Sequence, residues 1–207
     1  MMKLYYFDTL APRKICAFAR HIEAPAEFVQ VNLMKGEHRK PSYLAINPNG
    51  KVPAMTHGDK VLWEADAILC ELAHFAGPDY LPDADQQIEL IKWFSWNSQH
   101  FIRAGGALYF EHIIRPRFGM GLPDQAEVTD SLKNFRKYAR VLDDHLDGRR
   151  WLMGDRLSLA DFSVGICLPY AQEAQLPIDE FPNMKGWHER LSELDGWTDP
   201  WPATRAQ

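Results

Sequence analysis

The chain has 207 residues, of which 46% are hydrophobic and 25% are charged, and its formal net charge is −5. These values are typical of a soluble globular protein that buries a sizeable core in one large domain or two small ones. The basic residues are scattered, which argues against a nucleic acid or an anionic membrane as a partner.

The N-terminal segment predicts a strand, a helix and a second strand. Residues 3–7 alternate in polarity and are rich in aromatic side chains, which favours a strand. Pro12 suits the first turn of a helix, and apolar residues then recur on one helical face, at Ile15, Phe18, Ala19 and Ile22. Residues 28–33 alternate again, and a crossover of this kind makes its two strands parallel.

The next segment predicts a hairpin followed by a helix. Residues 35–46 read as a polar loop with one helical turn near its end. Residues 52–56 and 60–63 read as short strands with a Gly-Asp turn between them. Residues 66–75 are helical, and a Gly-Pro pair stops the helix. This βαβ–ββα order predicts a thioredoxin-like domain over residues 1–77.

The remainder of the chain predicts helices. Residues 78–82 are the best linker candidate, and an all-helical domain is expected over 83–207. Long apolar periodicity covers 84–115 and is interrupted by two consecutive glycines, and further helices are expected at 127–146, 162–174 and 183–194. The expected fold class is therefore α/β plus all-α, with the thioredoxin-like domain first.

Two motifs in the first domain predict a cradle for a small anionic peptide. The run 47–53, Asn-Pro-Asn-Gly-Lys-Val-Pro, feeds a strand through a Val-Pro bond, which is trans by default. In a cis geometry the backbone N–H and C=O groups of Val52 would both face outward and pair with an extended peptide. Glu64 lies at the start of the next helix, and a helix N-terminus is an anion site.

A third motif lies in the helical region and has a structural role. Ser158 and Asp161 have the spacing of a capping box, in which each side chain bonds the backbone N–H of the other residue. Leu157 and Phe162 are spaced as the accompanying hydrophobic staple.

The order and separation of these three motifs resemble the cytosolic glutathione S-transferases, of the bacterial type, over almost the whole chain. The resemblance implies an enzyme of detoxification that activates the thiol of glutathione for attack on a hydrophobic electrophile. Glutathione would be a co-substrate, no metal would be needed, and the protein would be a homodimer. Dehalogenase and isomerase subclasses share the fold and are not separated by these motifs.

The resemblance leaves two hydroxyl groups open as the thiol activator. Thr9 lies in the loop after the first strand, where serine-type members carry their catalytic residue, and Tyr6 lies where tyrosine-type members carry theirs. Alternatively, Thr9 is only a helix cap and Tyr6 only a strand aromatic. Cys16 lies a full turn into the first helix and reads as a core residue rather than a nucleophile.

The glutathione-binding positions carry over one at a time. They are His38, Lys51, Val52, Pro53, Glu64, Ala65 and Asp66. Val52 would pair with the cysteinyl backbone, Glu64 would hold the γ-glutamyl amino group, and His38 and Lys51 would contact the glycine carboxylate. Ala65 departs from the usual serine, so one hydrogen bond to the γ-glutamyl carboxylate is missing. Asp66 adds a like charge there unless it pairs with the ligand's amino group.

The resemblance assigns the electrophile site to a cleft between the two halves. The first helix after the linker supplies the candidates Trp96, His100 and Arg103, together with Trp93, Tyr109 and Phe110. The alternative is that most of these aromatics are core or dimer contacts. A second functional hypothesis, motivated by Ala65, is a non-catalytic binding or protein-interaction module with the same fold.

The cellular location expected from the sequence is the cytoplasm. The N-terminus lacks the pattern of a signal peptide, and no stretch approaches the roughly 18 to 20 apolar residues of a spanning helix. The three cysteines form no metal-binding or redox spacing, so reduced thiols are expected.

Overall fold

The structure, a computed structural model, describes residues 1–202 and shows two compact units. The first unit is Met1–Leu81 together with the segment that begins at Leu194, and the second is Pro82–Glu193. The division after Leu81 falls inside the expected linker, 78–82. Within residues 1–202, no helix is both long and apolar enough to cross a bilayer.

A four-stranded sheet lies at the centre of the first unit. Its strands are β1 (Met2–Tyr6), β2 (Ala26–Gln30), β3 (Ala54–His57) and β4 (Lys60–Trp63). Their spatial order is β2-β1-β3-β4, with β2 parallel to β1 and the other two neighbouring pairs antiparallel. The helices that accompany them are α1 (Leu10–His21), α2 (Pro41–Leu44) and α3 (Ala65–Ala76). This order confirms the thioredoxin-like fold of the first unit.

The side chains of β1 alternate between two cores because successive residues of a strand point to opposite faces. Met2, Leu4 and Tyr6 are buried, and α1 packs against both β1 and α3. The residues between them point the other way, where a small core is formed by Tyr5, Val31, Tyr43 and Ala54. The sheet therefore holds α1 and α3 side by side, and both helices begin in the region that carries the predicted site.

The second unit is built from helices. They are α4 (Ala84–Trp96), α5 (Ile102–Tyr109), α6 (Arg115–Arg117), α7 (Gln125–Leu146), α8 (Leu159–Val164) and α9 (Pro182–Leu191). Two π-helical turns, Asn97–Phe101 and Phe110–Ile114, continue the run from α4 to α6. The all-helical character expected for this part of the chain is confirmed.

The two consecutive glycines do not interrupt a helix, contrary to expectation. Gly105 lies inside α5, and a Cβ at this position would lie 2.7 Å from the Cys167 Sγ atom. The small residue is therefore required by close packing and not by a turn. The helix expected at 162–174 is also modified, since α8 ends at Val164 and a 3-10 helix containing Pro169 follows.

The capping box at the start of α8 is present and extends further than the motif predicts. Asp161 is fully buried, and its Oδ2 accepts from the backbone N and the Oγ of Ser158, at 2.9 and 2.7 Å. Its Oδ1 accepts from the Leu152 backbone N and from Trp187 Nε1, both at 2.9 Å. Burial raises the pKa of Asp161 above its ordinary value, and these donors act in the opposite direction.

The expected helical domain, 83–207, is wrong at its C-terminal end. Helix α10 (Asp195–Thr198) belongs to the first unit, where it packs against α1. Trp197 is buried, its carbonyl accepts from Arg13 Nη2 at 2.5 Å, and the Arg13 guanidinium lies 5.0 Å from its ring centroid. Further along, the Trp201 ring stacks on Tyr6 at 5.9 Å. These long-range contacts return the chain to the first unit. Residues 203–207 of the expected domain lie outside the described residues.

Candidate functional site

Thr9 occupies the N-cap position of α1, in the turn after β1. Its backbone is extended, and its carbonyl accepts from the Arg13 N–H at 3.1 Å, which starts the helix. The side chain is half-buried, and in the structure of residues 1–202 it makes no capping hydrogen bond. The hydroxyl is thus held at the positive end of a helix without being used by that helix.

Tyr6 has a different environment, although it is only three residues away. It is the last residue of β1, only 6% exposed, and its ring contacts Trp201 and Phe28. Burial raises the pKa of the Tyr6 hydroxyl. Tyr6 therefore faces the core of the first unit.

Cys16 is a core residue, as expected. It is fully buried within α1, and burial raises the pKa of its thiol far above the ordinary value. Since a nucleophilic cysteine must be a thiolate near neutral pH, Cys16 is not suited to that role. The three cysteines are free, as the sequence predicts.

The Val52–Pro53 bond is cis, so the default expectation of a trans bond was wrong. The carbonyl of Lys51, just before this bond, accepts from the Tyr43 hydroxyl and from Asn47 Nδ2, each at 2.7 Å. Both donor residues are buried, and they hold the backbone at Lys51 in place. The general frequency of trans X-Pro bonds does not take such contacts into account. Pro53 is buried and immediately precedes β3, the position expected of it.

The start of α3 is strained and uncapped. Glu64 is exposed and adopts φ 73° and ψ 116°, a left-handed conformation that costs about 1 to 3 kcal/mol in a residue other than glycine. Strained residues of this kind cluster at active sites and ligand-binding sites. Within residues 1–202, the Glu64 side chain makes no capping hydrogen bond to α3, and Ala65 supplies no hydroxyl. The first N–H groups of α3 therefore form a site suited to an anion.

Asp66, the second residue of α3, is held by another side chain. The Lys14 Nζ atom of α1 lies 2.8 Å from Asp66 Oδ1, and Lys14 is only 7% exposed. The like charge expected beside the γ-glutamyl carboxylate is therefore compensated from within the protein. The sequence predicted only the ligand's amino group as a partner of Asp66.

His38 and Lys51 differ in their surroundings. Lys51 is exposed, whereas His38 is half-buried and burial lowers its pKa below the ordinary value. The Nδ1 atom of His38 is buried and accepts or donates no hydrogen bond within residues 1–202. Gly50 packs closely against the His38 backbone, since a Cβ at residue 50 would lie 3.2 Å from the His38 carbonyl oxygen. Its φ of 58° also favours glycine.

The electrophile-site candidates lie in the second unit, in the run from α4 to α5. His100 stacks on Tyr138 at 5.0 Å, Trp96 stacks on Phe101 at 5.6 Å, and Arg103 is exposed. His100 is part of the first π-helical turn, and such turns occur frequently at functional sites. Among the other aromatics considered, Trp93 and Tyr109 are buried and Phe110 is exposed.

Three residues around the candidate site have roles that the sequence did not predict. They are Lys14, Tyr43 and Asn47. A signal existed for Lys14, because it lies four residues before Phe18 and so falls on the apolar face of the helix. Asn47 opens the motif at 47–53, but the motif did not predict its hydrogen bond to Lys51, and no local signal identifies Tyr43 as the second donor.

Comparison with known families accounts for most of the chain. A model described as the glutathione S-transferase N-terminal domain matches residues 2–73, and one described as the glutathione S-transferase C-terminal domain matches residues 106–195. These two matches correspond to the two units of the fold.

Curated relatives include several plant proteins. Probable glutathione S-transferase GSTF2 of Oryza sativa subsp. japonica is 33% identical over 205 residues, which cover 96% of this chain and 90% of the relative. Glutathione S-transferase 3 of Zea mays is 34% identical over 173 residues, which cover 80% of this chain and 77% of the relative. These relatives do not support the bacterial type that the motifs suggested.

Solved structures are similar over the same extent. Glutathione transferase F7 from Populus trichocarpa has a TM-score of 0.88 at 26% identity and covers 97% of both chains. Glutathione S-transferase-I bound with lactoylglutathione has a TM-score of 0.86 at 26% identity, covering 97% of this chain and 99% of that one.

Proposed function

The chain belongs to the glutathione S-transferase family, and on that basis we propose that it joins the sulfur of glutathione to a hydrophobic electrophile. The observation that carries the proposal is the hydroxyl of Thr9, held at the N-terminus of α1 without a capping bond of its own within residues 1–202. Tyr6, the alternative, is buried against Trp201 and is the weaker candidate.

The reaction requires a thiolate at neutral pH. A free thiol has a pKa of about 8.5, so only a minor fraction is ionised near pH 7. The Thr9 hydroxyl donates a hydrogen bond to the sulfur, and the α1 dipole adds a favourable field, so both stabilise the charged form. The thiol proton leaves to solvent, the sulfur lone pair forms a C–S bond, and the leaving group departs with the electron pair of the bond that breaks.

Glutathione is the co-substrate, and residues of the first unit hold it. The backbone of Val52 pairs with the cysteinyl residue, and exposed Glu64 binds the γ-glutamyl amino group. The N-terminus of α3 receives the γ-glutamyl carboxylate, and the glycine carboxylate lies toward Lys51 and His38. Support comes from the uncapped start of α3, the strain at Glu64 and the unsatisfied Nδ1 atom of His38.

The second unit supplies the electrophile site. Trp96 and His100 present partly exposed rings, which suit an apolar or aromatic electrophile, and Arg103 suits a polar substituent on it. The enzyme acts as a homodimer, consistent with exposed apolar side chains such as Val61, Trp63 and Ile91. We also place it in the cytoplasm, where its three free thiols remain reduced.

The proposal is tested by binding and by turnover. Calorimetric titration with reduced glutathione should give saturable binding with a dissociation constant between about 1 μM and a few mM. Mixing glutathione with an aryl halide should release halide at a rate proportional to enzyme. Absence of saturable binding up to about 10 mM glutathione would overturn the assignment. Binding without turnover of a panel of electrophiles would instead favour the non-catalytic module, the reading that Ala65 motivates.

A further inference from the structure

Two opposite charges meet inside the first unit, between α1 and α3. The Lys14 Nζ atom lies 2.8 Å from Asp66 Oδ1, with 8% of the Lys14 side chain and 25% of the Asp66 side chain exposed. Lys14 lies within a buried stretch of α1 that runs from Pro12 to Ala19. A cation this deeply buried requires an opposite charge beside it, so the pair is a built part of the contact between the two helices.

The position of Asp66 places this ion pair at the N-terminus of α3, where the ligand carboxylate would bind. Asp66 is the second residue of α3, so its carboxylate lies close to the N–H groups that begin the helix. Those groups and the helix dipole attract an anion, and an uncompensated carboxylate at the same place repels it. The ammonium group of Lys14 cancels that repulsion.

We propose that Lys14 is a positioning residue of the glutathione site, which neutralises Asp66 and so keeps the N-terminus of α3 open to the α-carboxylate of the γ-glutamyl group. The inference rests on the proposed function, because it takes glutathione as the ligand. The charge of Lys14 matters more in this chain because residue 65 is alanine. Without a hydroxyl at that position, the ligand carboxylate depends on backbone N–H groups and on the local electrostatic field.

A cycle of charge changes separates this role from simple packing. K14M keeps the length and apolar stem of the side chain but removes the positive charge beside Asp66, and we expect the dissociation constant for glutathione to rise about tenfold. D66N leaves the lysine charge, so binding should tighten about threefold. In K14M/D66N both charges are gone, and the dissociation constant should return to within about threefold of wild type.

A change in the ligand shows which group of glutathione is affected. The probe is 4-aminobutanoyl-cysteinylglycine, which is glutathione without its α-carboxylate. Its affinity should be the same for wild type and K14M, because the repelled group is absent. A purely structural effect of Lys14 would weaken both ligands equally.

The chain offers a matched control in Lys60. Its Nζ atom lies 2.8 Å from Glu71 Oε1, a pair of the same kind that also involves α3, but Glu71 is seven residues into the helix and Lys60 is exposed. K60M should leave glutathione binding unchanged. Thermal denaturation of every variant shows whether it is folded. Should K14M fail to fold, the affinities of D66N and of the double variant for glutathione are compared with that of wild type instead.

Three results would overturn the inference alone, provided that wild type binds glutathione. They are a folded K14M that binds glutathione as tightly as wild type, a double variant as weak as K14M, and an equal loss for the decarboxylated probe. Failure of wild type to bind glutathione at all would overturn the proposed function and this inference together.

Discussion

Gly196 lies so close to the carbonyl of Ala17 that a Cβ built at residue 196 would be 2.7 Å from that oxygen. The same Cβ would be 2.7 Å from the His21 backbone N. Both neighbours are backbone atoms of α1, which cannot rotate away as a side chain can. The absence of a side chain at Gly196 is what lets α10 lie directly on α1.

The first prediction concerns this contact. Gly196→Ala should destabilise the protein by about 1 to 3 kcal/mol, because the added methyl group must push α10 away from α1. The measurement is the free energy of unfolding in urea. The control is Gly186→Ala in α9, where the nearest atom to a new Cβ is Arg190 Nη1 at 3.7 Å and alanine is the better helix former. Equal stability of the two variants would contradict the close contact.

The order and type of the elements followed from the sequence, but their ends depended on tertiary pairing. The second strand was expected at 28–33 because alternation continues to Leu33, yet β2 is Ala26–Gln30. The reason lies in the register: Gln30 pairs with Tyr6, the last residue of β1, so the strand has no partner beyond it. A periodic pattern shows which face is buried and does not show where the neighbouring strand stops.

The candidate site was predicted where it rests on a local motif and missed where it rests on contacts distant in sequence. Thr9 and Glu64 each stand at a helix start that a short motif identifies. The partner of Asp66 is 52 residues away, and neither residue carries a local sign of the other. The return of Trp197 to α1 is of the same kind, since aromatic character predicts burial without naming the partner.

The second prediction concerns the glycine inside α5. Gly105→Ala should destabilise the protein by about 1 to 3 kcal/mol, because its Cβ would lie 2.7 Å from Cys167 Sγ. Here the obstacle is a side chain, so Cys167→Ala should restore much of the loss when the two changes are combined. Urea denaturation of the two single variants and the double variant measures this coupling. Strict additivity would show that Gly105 is not limited by Cys167.

The third prediction concerns the buried carboxylate of the second unit. Asp161→Asn should destabilise the protein by about 2 to 4 kcal/mol, because the amide NH₂ would face donors, leaving the Ser158 N–H unpaired. Asp155→Asn, an exposed change in the same loop, should alter stability by less than about 0.5 kcal/mol. Chemical denaturation at pH 7 compares them, and a small effect at Asp161 would contradict the four-donor arrangement.

The fourth prediction is a pH dependence of stability. Burial lowers the pKa of His21 below 6.5, and its Nε2 lies 2.6 Å from the Tyr80 hydroxyl. The folded state therefore favours the neutral ring, while the unfolded chain binds a proton as the pH falls through about 6.5, so this contribution to stability is lost below that pH. His21→Gln should reduce the fall in the free energy of unfolding between pH 7.5 and pH 5.5. An unchanged slope would show that the protonation of His21 does not differ between the folded and the unfolded state.

The last prediction identifies the hydroxyl that activates the thiol. Thr9→Val keeps the branched shape and removes the donor, so kcat should fall at least about tenfold with little change in the KM for glutathione. The pH profile of kcat/KM should move up toward the pKa of free thiol, about 8.5, because the thiolate loses its hydrogen bond. Thr9→Ser restores the hydroxyl and should recover most of the rate, and Tyr6→Phe should retain the wild-type profile, since Tyr6 is buried against Trp201. The reverse pattern, with an intact Thr9→Val enzyme and an impaired Tyr6→Phe enzyme, would assign catalysis to the tyrosine, and only a rearranged first unit would then bring that hydroxyl to the sulfur.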